Sequence, residues 1–196
     1  MIAPFDALVL AGGTGLRMGD PRGTDKAGLD VGGVALLDRV LAAVADAQRC
    51  IVVGPRRPTS RAVTFTVEEP AGSGPAAAIV HGLSLVDAPI VVVLAADLPF
   101  AVTAVPKLIA AIADGDAAAA MLVDDAGRRQ LLLAAYRTDV LRRCAVGRDW
   151  SGVSVRALTE GLTVVEVAAV GDEALDCDTP EQLTAAREAA NSPPSG

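Results

Sequence analysis

Apolar positions along this chain fall into two alternating rhythms. Unbroken runs such as Ala7-Leu8-Val9-Leu10, Cys50-Ile51-Val52-Val53 and Ile90-Val91-Val92-Val93-Leu94-Ala95 have the length of strands buried on both faces. Between them apolar residues return at helical spacing: Leu36, Leu37, Val40, Leu41 and Val44, with Asp38 and Arg39 turned outward. The pattern predicts strands over 5–11, 50–53, 63–67, 90–95 and 117–123, and helices over 34–47, 75–86 and 103–114. A short extended piece, 29–31, ends at the Gly32-Gly33 turn. Pro75 and Pro106 each fit a first helical turn, and Thr103 is a candidate N-cap. The last third predicts strands over 130–136 and 162–167 and helices over 138–146, 153–159 and 179–190. Thr179 caps the last of these helices and Pro180 opens it. Repeated alternation of this kind predicts an α/β protein with a Rossmann-like, mostly parallel sheet and helices on both faces. It is expected as a single domain over 1–190, with 191–196 a frayed polar tail. Ligands of such sheets sit beyond the carboxyl ends of the strands.

Two loops obey that rule. The first follows the first strand and reads Leu10-Ala11-Gly12-Gly13-Thr14-Gly15-Leu16-Arg17-Met18-Gly19, continuing to Asp25-Lys26. Five glycines fall within twelve residues here. Glycine lets backbone approach a ligand closely, and successive N–H groups in such a loop can cradle a phosphate. Arg17 offers a planar fork for phosphate oxygens, and Lys26 a compact charge. The dinucleotide fingerprint fails, because Met18 stands where a third glycine is required, and the P-loop fails because neither lysine follows a glycine. The second loop is Ala96-Asp97-Leu98-Pro99-Phe100. A lone carboxylate closing an apolar strand is costly to bury without a cation. In a triphosphate site the natural cation for Asp97 is Mg²⁺, bridging carboxylate and phosphate. A cap before Pro99 is the structural alternative.

Composition narrows the choices. Apolar residues make up 52% of the 196, which excludes a largely disordered chain, and the formal net charge is −7. That balance argues against a nucleic-acid or anionic-membrane surface. No apolar run is long enough to span a membrane. Cys50, Cys144 and Cys177 are scattered and odd in number, the pattern of free thiols in a reducing, cytoplasmic compartment. Lysine occurs twice, at Lys26 and Lys107, so its presence inside the glycine loop stands out.

Two further acidic elements compete with plainer readings. In an extended stretch Asp176 and Asp178 would point the same way and suit a divalent metal, although capping of the last helix is an equal alternative. Glu68-Glu69-Pro70 followed by Gly72-Ser73-Gly74-Pro75 could offer a carboxylate to a guanine edge, or be a surface turn. His81 is the single histidine; a Ser–His–Asp hydrolase would need it as base, yet no Gly-x-Ser-x-Gly elbow accompanies it, and a helix-surface or satisfied, partly buried histidine is the favoured reading. Tyr136 and Trp150 read as packing residues.

Together these elements resemble the molybdenum cofactor guanylyltransferases, the MobA-type family of the nucleotidyltransferase superfamily. Leu10-Ala11-Gly12-Gly13, Arg17-Met18-Gly19 and Asp25-Lys26 are similar to the family's opening motif. Glu68-Glu69 through Gly74-Pro75 is similar to its guanine segment, Ala96–Phe100 to its magnesium element, and Arg129-Gln130 with Ala135-Tyr136-Arg137 to its acceptor segment. Asp176 to Leu183 stands where the family has Asn-x-Asn-Thr-Pro-Glu-x-Leu. Departures are the longer 20–24 spacer, Glu69 for Asp, Leu131 for Pro, and both aspartates for asparagines. An Asp-x-Asp-Thr-Pro ending is more like the cytidylyltransferases of the superfamily.

The resemblance implies a nucleotide-diphospho-sugar transferase-like fold. It also implies transfer of GMP from GTP to the phosphate of the molybdenum-pterin cofactor, with release of pyrophosphate. Arg17, Lys26 and Asp97 would be catalytic. Leu10, Ala11, Gly12, Gly13, Thr14, Gly15, Glu69 and Gly74 would bind the nucleotide, and Asp97 and Asp178 would hold Mg²⁺. Transient contact with pterin-delivering proteins or apo-molybdoenzymes is implied as well. The alternatives are a cytidylyltransferase or other nucleotidyltransferase for a pterin, sugar or alkyl phosphate, and a nucleotide-binding sensor or scaffold without turnover.

Overall fold

A computed structural model describes residues 2–13, 25–113 and 115–191. Among the described residues the strands are β1 (Phe5–Leu10), β2 (Asp30–Val31), β3 (Val34–Ala35), β4 (Cys50–Val53), β5 (Thr64–Thr66), β6 (Ile90–Ala95), β7 (Ala119–Val123), β8 (Arg129–Arg137) and β9 (Val164–Ala168). The α-helices are α1 (Leu36–Ala43), α2 (Pro75–Gly82), α3 (Ala104–Ala113), α4 (Thr138–Ala145), α5 (Val155–Leu158) and α6 (Pro180–Asn191). Seven strands form one sheet in the order β5-β4-β1-β6-β8-β7-β9. All its pairings are parallel except those of β8, which runs against both β6 and β7.

Alternation along the central strands builds two core layers, since successive side chains point to opposite faces. Ala7, Val9, Val52, Val92 and Leu94 pack beneath Leu37, Val40 and Leu41 of α1 and Leu108, Ile109 and Ile112 of α3. Leu8, Ile51, Val53, Val91 and Val93 face the other way, against Ala76 and Ile79 of α2 and Leu141 of α4. Helices therefore cover both faces, as the apolar runs predict. A third cluster joins Val31, Leu36, Cys177, Leu183 and Ala186, and so docks α6 and the segment before it against the β2–β3 hairpin.

Several predicted boundaries move, each for a local reason. The helix expected over 34–47 begins at Leu36, because Gly32 and Gly33 both take positive φ (62° and 80°) and turn Val34-Ala35 back onto Asp30-Val31. The strand expected over 63–67 keeps only three residues; it lies at the sheet edge and pairs with β4 alone. The helix over 75–86 tightens after Gly82 into a 3-10 turn, Leu83–Leu85. The short helix over 153–159 reduces to four residues behind Ser154, whose hydroxyl caps the Ala157 N–H. Thr103, the candidate cap of α3, donates instead to Glu173 at 2.6 Å. The Thr179 cap of α6 is as expected: Gln182 N–H donates to Thr179 Oγ1 and Thr179 N–H to Gln182 Oε1. Residue 114 and the tail from 192 onward lie outside the described residues.

One irregularity shapes the site. Met121 pairs with Ala134 but Leu122 pairs with Gln130, so β8 carries surplus residues around 131–133. Tyr136 holds this bulge, its hydroxyl donating to the Leu131 carbonyl at 2.8 Å. Bulges commonly re-aim side chains beside functional sites.

Candidate active site

The carboxyl ends of β1, β4 and β6 converge, and backbone bonds lock them together. Ala96 N–H donates to the Leu10 carbonyl at 3.0 Å, and Ala11 N–H to the Val53 carbonyl at 2.8 Å. Gly54 lies so close that a Cβ there would stand 2.6 Å from the Ala11 carbonyl carbon, so only glycine fits beside the start of the loop. Leu10 and Ala11 are thus held by the sheet, while Gly12 and Gly13 emerge exposed beyond it. Thr14, Gly15 and Arg17, the remaining loop residues expected to bind or activate a triphosphate, lie outside the described residues.

Lys26 re-enters the site from a short 3-10 turn, Lys26–Gly28. Its ammonium pairs with both Asp97 Oδ2 and Asp178 Oδ1. The Lys26 side chain is 12% exposed and that of Asp97 18%, so both are drawn well out of water. Burial works against the charge of Lys26, but Asp97 and Asp178 outweigh it and hold the ammonium above the ordinary lysine range. Asp178 reaches this position because Cys177 N–H donates to the Asp97 carbonyl at 3.1 Å, stitching the segment before α6 to the end of β6. Cys177 itself is buried, and burial pushes its thiol up to about 11, so it stays protonated at neutral pH.

Asp176 completes the acidic group. It accepts from Gln182 Nε2, and burial together with the charges of Asp178 and Asp97 pushes its carboxyl above the ordinary range. Asp97, Asp176 and Asp178 line one cavity of about 410 Å³, with Gln130, Leu131 and Leu132 of the β8 bulge opposite. The two aspartates therefore do face one way, and helix capping falls to Thr179 and Gln182. Two of these carboxylates pair with the Lys26 ammonium, and the third with Gln182.

Among the described residues, no group of three or more His, Cys, Asp or Glu is disposed to hold a metal alone. The donor chemistry nonetheless suits Mg²⁺, which takes oxygen ligands and commonly uses one or two carboxylates with substrate phosphates supplying the rest. Asp97 and Asp178 already share a cation.

The other expected residues divide. Glu68 is buried and accepts from Gly72 N–H at 2.9 Å, which leaves Glu69, exposed beside it, as the carboxylate turned to solvent. Gly74 takes φ 97° immediately before Pro75 opens α2, a conformation that favours glycine. Of the acceptor segment suggested by resemblance, only Gln130 reaches the cavity. Ala135-Tyr136-Arg137 lies at the opposite end of the sheet, because Arg137 pairs with Ile90 at the start of β6. Along β7, where Leu122 pairs with Gln130 and Ala119 with Tyr136, they stand on the order of 10 Å apart. Arg137 there bonds the carbonyls of Ile112, Gly115 and Ala117. His81 is a structural tie to Thr66 Oγ1 at 2.6 Å, and Trp150 is buried with its indole N–H on the Ala145 carbonyl.

Sequence reasoning passed over Arg57. It follows the carboxyl end of β4, the same end of the sheet that singled out Asp97, and that position is the signal that could have found it.

A glycine-rich loop after the first strand, with a lysine and a strand-ending aspartate brought together above a mostly parallel sheet, is the arrangement of the nucleotidyltransferase class. Within that class the chain belongs to the MobA-like NTP transferase domain family, whose model matches residues 7–162. Over 105 residues it is 40% identical to a probable molybdenum cofactor guanylyltransferase from Natronomonas pharaonis. That match covers 47% of this chain and 49% of the relative, about half the length of each. In fold it is similar to molybdopterin-guanine dinucleotide biosynthesis protein A from Archaeoglobus fulgidus, with TM-score 0.73, 22% identity, and coverage of 94% of this chain and 97% of the other. It is also similar to 2-C-methyl-D-erythritol 4-phosphate cytidylyltransferase from Thermus thermophilus, with TM-score 0.70, 22% identity, and coverage of 96% and 100%. No helix among the described residues is long and apolar enough to cross a membrane.

Proposed function

We propose that this protein transfers GMP from GTP to the phosphate of the molybdenum-pterin cofactor, releasing pyrophosphate. The observation that carries the reading is the Lys26 ammonium shared between Asp97 and Asp178 at the end of β6. Nucleotidyl transfer needs positioning and charge neutralisation more than a protein nucleophile. The acceptor phosphate attacks the α-phosphorus in line, and pyrophosphate leaves. The glycine loop, Gly12 to Gly15, holds the triphosphate, while Arg17 and Lys26 offset charge on the α-phosphate and leaving group. Asp97 and Asp178 would hold Mg²⁺, which would supply further neutralisation of the phosphates. Glu69 accepts from the guanine edge and Gln130 faces the acceptor. Support for the guanine and pterin assignment comes from the family and from the Natronomonas relative.

A second reading keeps the chemistry and changes the base. Aspartates at 176 and 178, rather than asparagines, favour a cytidylyl donor. The deciding experiment is pyrophosphate release with Mg²⁺ and each of GTP, CTP, UTP and ATP, with and without the molybdenum-pterin cofactor. Cofactor-dependent release with GTP is expected. Release with CTP would move the protein to the cytidylyl branch, and triphosphate binding without any release would overturn the transferase reading with this acceptor.

A further inference from the structure

We propose that Arg57 is a positioning residue for nucleotide transfer: one guanidinium ties the start of the glycine-rich loop to its end and so sets where Lys26 stands. The inference rests on the role given to Lys26 above. Arg57 lies in the loop after β4, where its neighbours Arg56 and Pro58 are exposed, yet its own side chain is only 13% exposed. Each of its three nitrogens has a different partner. Nε donates to the Pro55 carbonyl at 3.3 Å, Nη2 to the Ala11 carbonyl at 3.4 Å, and Nη1 pairs with the Asp25 carboxylate.

Ala11 is the last residue before Gly12, and Asp25 is the residue before Lys26. The start of the loop is already fixed by the sheet, through the Ala11–Val53 bond and the close approach of Gly54. Backbone bonds at the end are local: Gly28 N–H to the Asp25 carbonyl and Leu29 N–H to the Lys26 carbonyl. Arg57 connects that turn to β1 and β4. A lysine ammonium rides on a flexible four-carbon stem, so its reach depends on where its backbone is held. Arginine suits the task because its rigid planar fork holds separate acceptors in a fixed geometry, whereas an ammonium is a compact point charge on a flexible stem. With each nitrogen holding a protein partner and the side chain mostly out of solvent, Arg57 is placed to act through Lys26. Asp25 is mostly exposed, so the pair adds little to stability, and its loss should register in turnover before folding.

The test is steady-state pyrophosphate release for Arg57→Gln, Arg57→Lys, Asp25→Asn and the Arg57→Gln/Asp25→Asn double variant, with melting temperatures alongside. Arg57→Gln is expected to lower kcat by about 10- to 100-fold while KM for the triphosphate and the melting temperature change little. The double variant should fall no further than the worse single one, because both remove one tie. Arg57→Lys should not restore turnover; full rescue would show that charge alone suffices and would overturn the two-ended tie. So would a kcat within threefold of the parent in Arg57→Gln. A second measurement stands apart from turnover. Lys26 and Lys107 are the only lysines, so ¹⁵N-lysine labelling gives two side-chain ammonium resonances, assigned by Lys107→Arg. Arg57→Gln should shift the Lys26 resonance and leave that of Lys107 in place. If the parent protein releases no pyrophosphate with any triphosphate, the reaction reading fails, and an unshifted Lys26 resonance would separately overturn the tie.

Discussion

Two groups of acidic side chains around the sheet are held in opposite ways. At the amino end, Asp6 is 1% exposed and fully served: Arg49 N–H donates to one oxygen at 3.0 Å, and Asp87 and Ala88 N–H to the other at 2.7 and 3.0 Å. Three backbone donors hold it, and the result is a lashing between β1, β4 and β6. Glu173, also buried but lying beyond the carboxyl end of β9, is similarly satisfied by Thr103, Lys107 and the Val170 N–H. At the carboxyl end, Asp97, Asp176 and Asp178 crowd one cavity around a single described ammonium. Acids locked by backbone and side-chain donors hold the fold, whereas half-buried acids gathered at a cavity are placed to meet a ligand that brings positive charge.

The sharpest break in that contrast is Lys26→Ala. It should lower pyrophosphate release by about 10²- to 10³-fold, the scale of losing one well-placed charge-stabilising group. The protein should remain folded by melting, and near-normal turnover would remove Lys26 from the mechanism. Asp6→Ala should do the reverse. Leaving three N–H donors unpaired is expected to cost about 1–3 kcal/mol, read from denaturant unfolding, with turnover per folded molecule unchanged. Gly82 offers a control remote from both acids. A Cβ there would collide with Leu8, so Gly82→Ala should cost about 1–3 kcal/mol by overpacking, with no effect on base preference.

The smallest expected effect is on acid stability. Burial works to raise the Glu173 carboxyl, but hydrogen bonds from Lys107, Thr103 and Val170 N–H outweigh it and hold it below its ordinary range. A lowered folded value means that this contribution is complete above the unfolded carboxylate range and is lost as pH falls through the folded one. Glu173→Gln should therefore shallow the loss of stability on the acid side while leaving the Lys26 cluster intact. An unchanged acid slope would contradict the assignment.

How far the sequence reveals this contrast depends on the kind of signal. Strands 50–53 and 90–95 are legible to the residue, because an unbroken apolar run between Gly, Pro or polar residues has only one way to be buried. Asp97 is legible for the same reason, as the first charge after such a run. Asp6 is not, since a carboxylate inside the first strand reveals itself only when loops 49 and 87–88 come round to meet it. The hairpin at Gly32-Gly33 is hidden by the helical spacing that begins at Val34. Tyr136 and Gln130 share one strand, and nothing in their spacing shows that a bulge brings one to the cavity while the other packs beneath. Arg57 is missed because its three partners come from three separate stretches of chain.

The most direct test sets Asp97→Asn against Asp6→Asn, measuring unfolding free energy and pyrophosphate release for both. Asp97→Asn is expected to lose release by about 10²-fold or more with a smaller loss of stability than Asp6→Asn, since Lys26 keeps Asp178 as a partner. Asp6→Asn should lose stability and keep its release per folded molecule. An Asp97→Asn variant that turned over at the parent rate, or that unfolded as Asp6→Asn does, would contradict the assignment of function to the acidic cavity beyond β6.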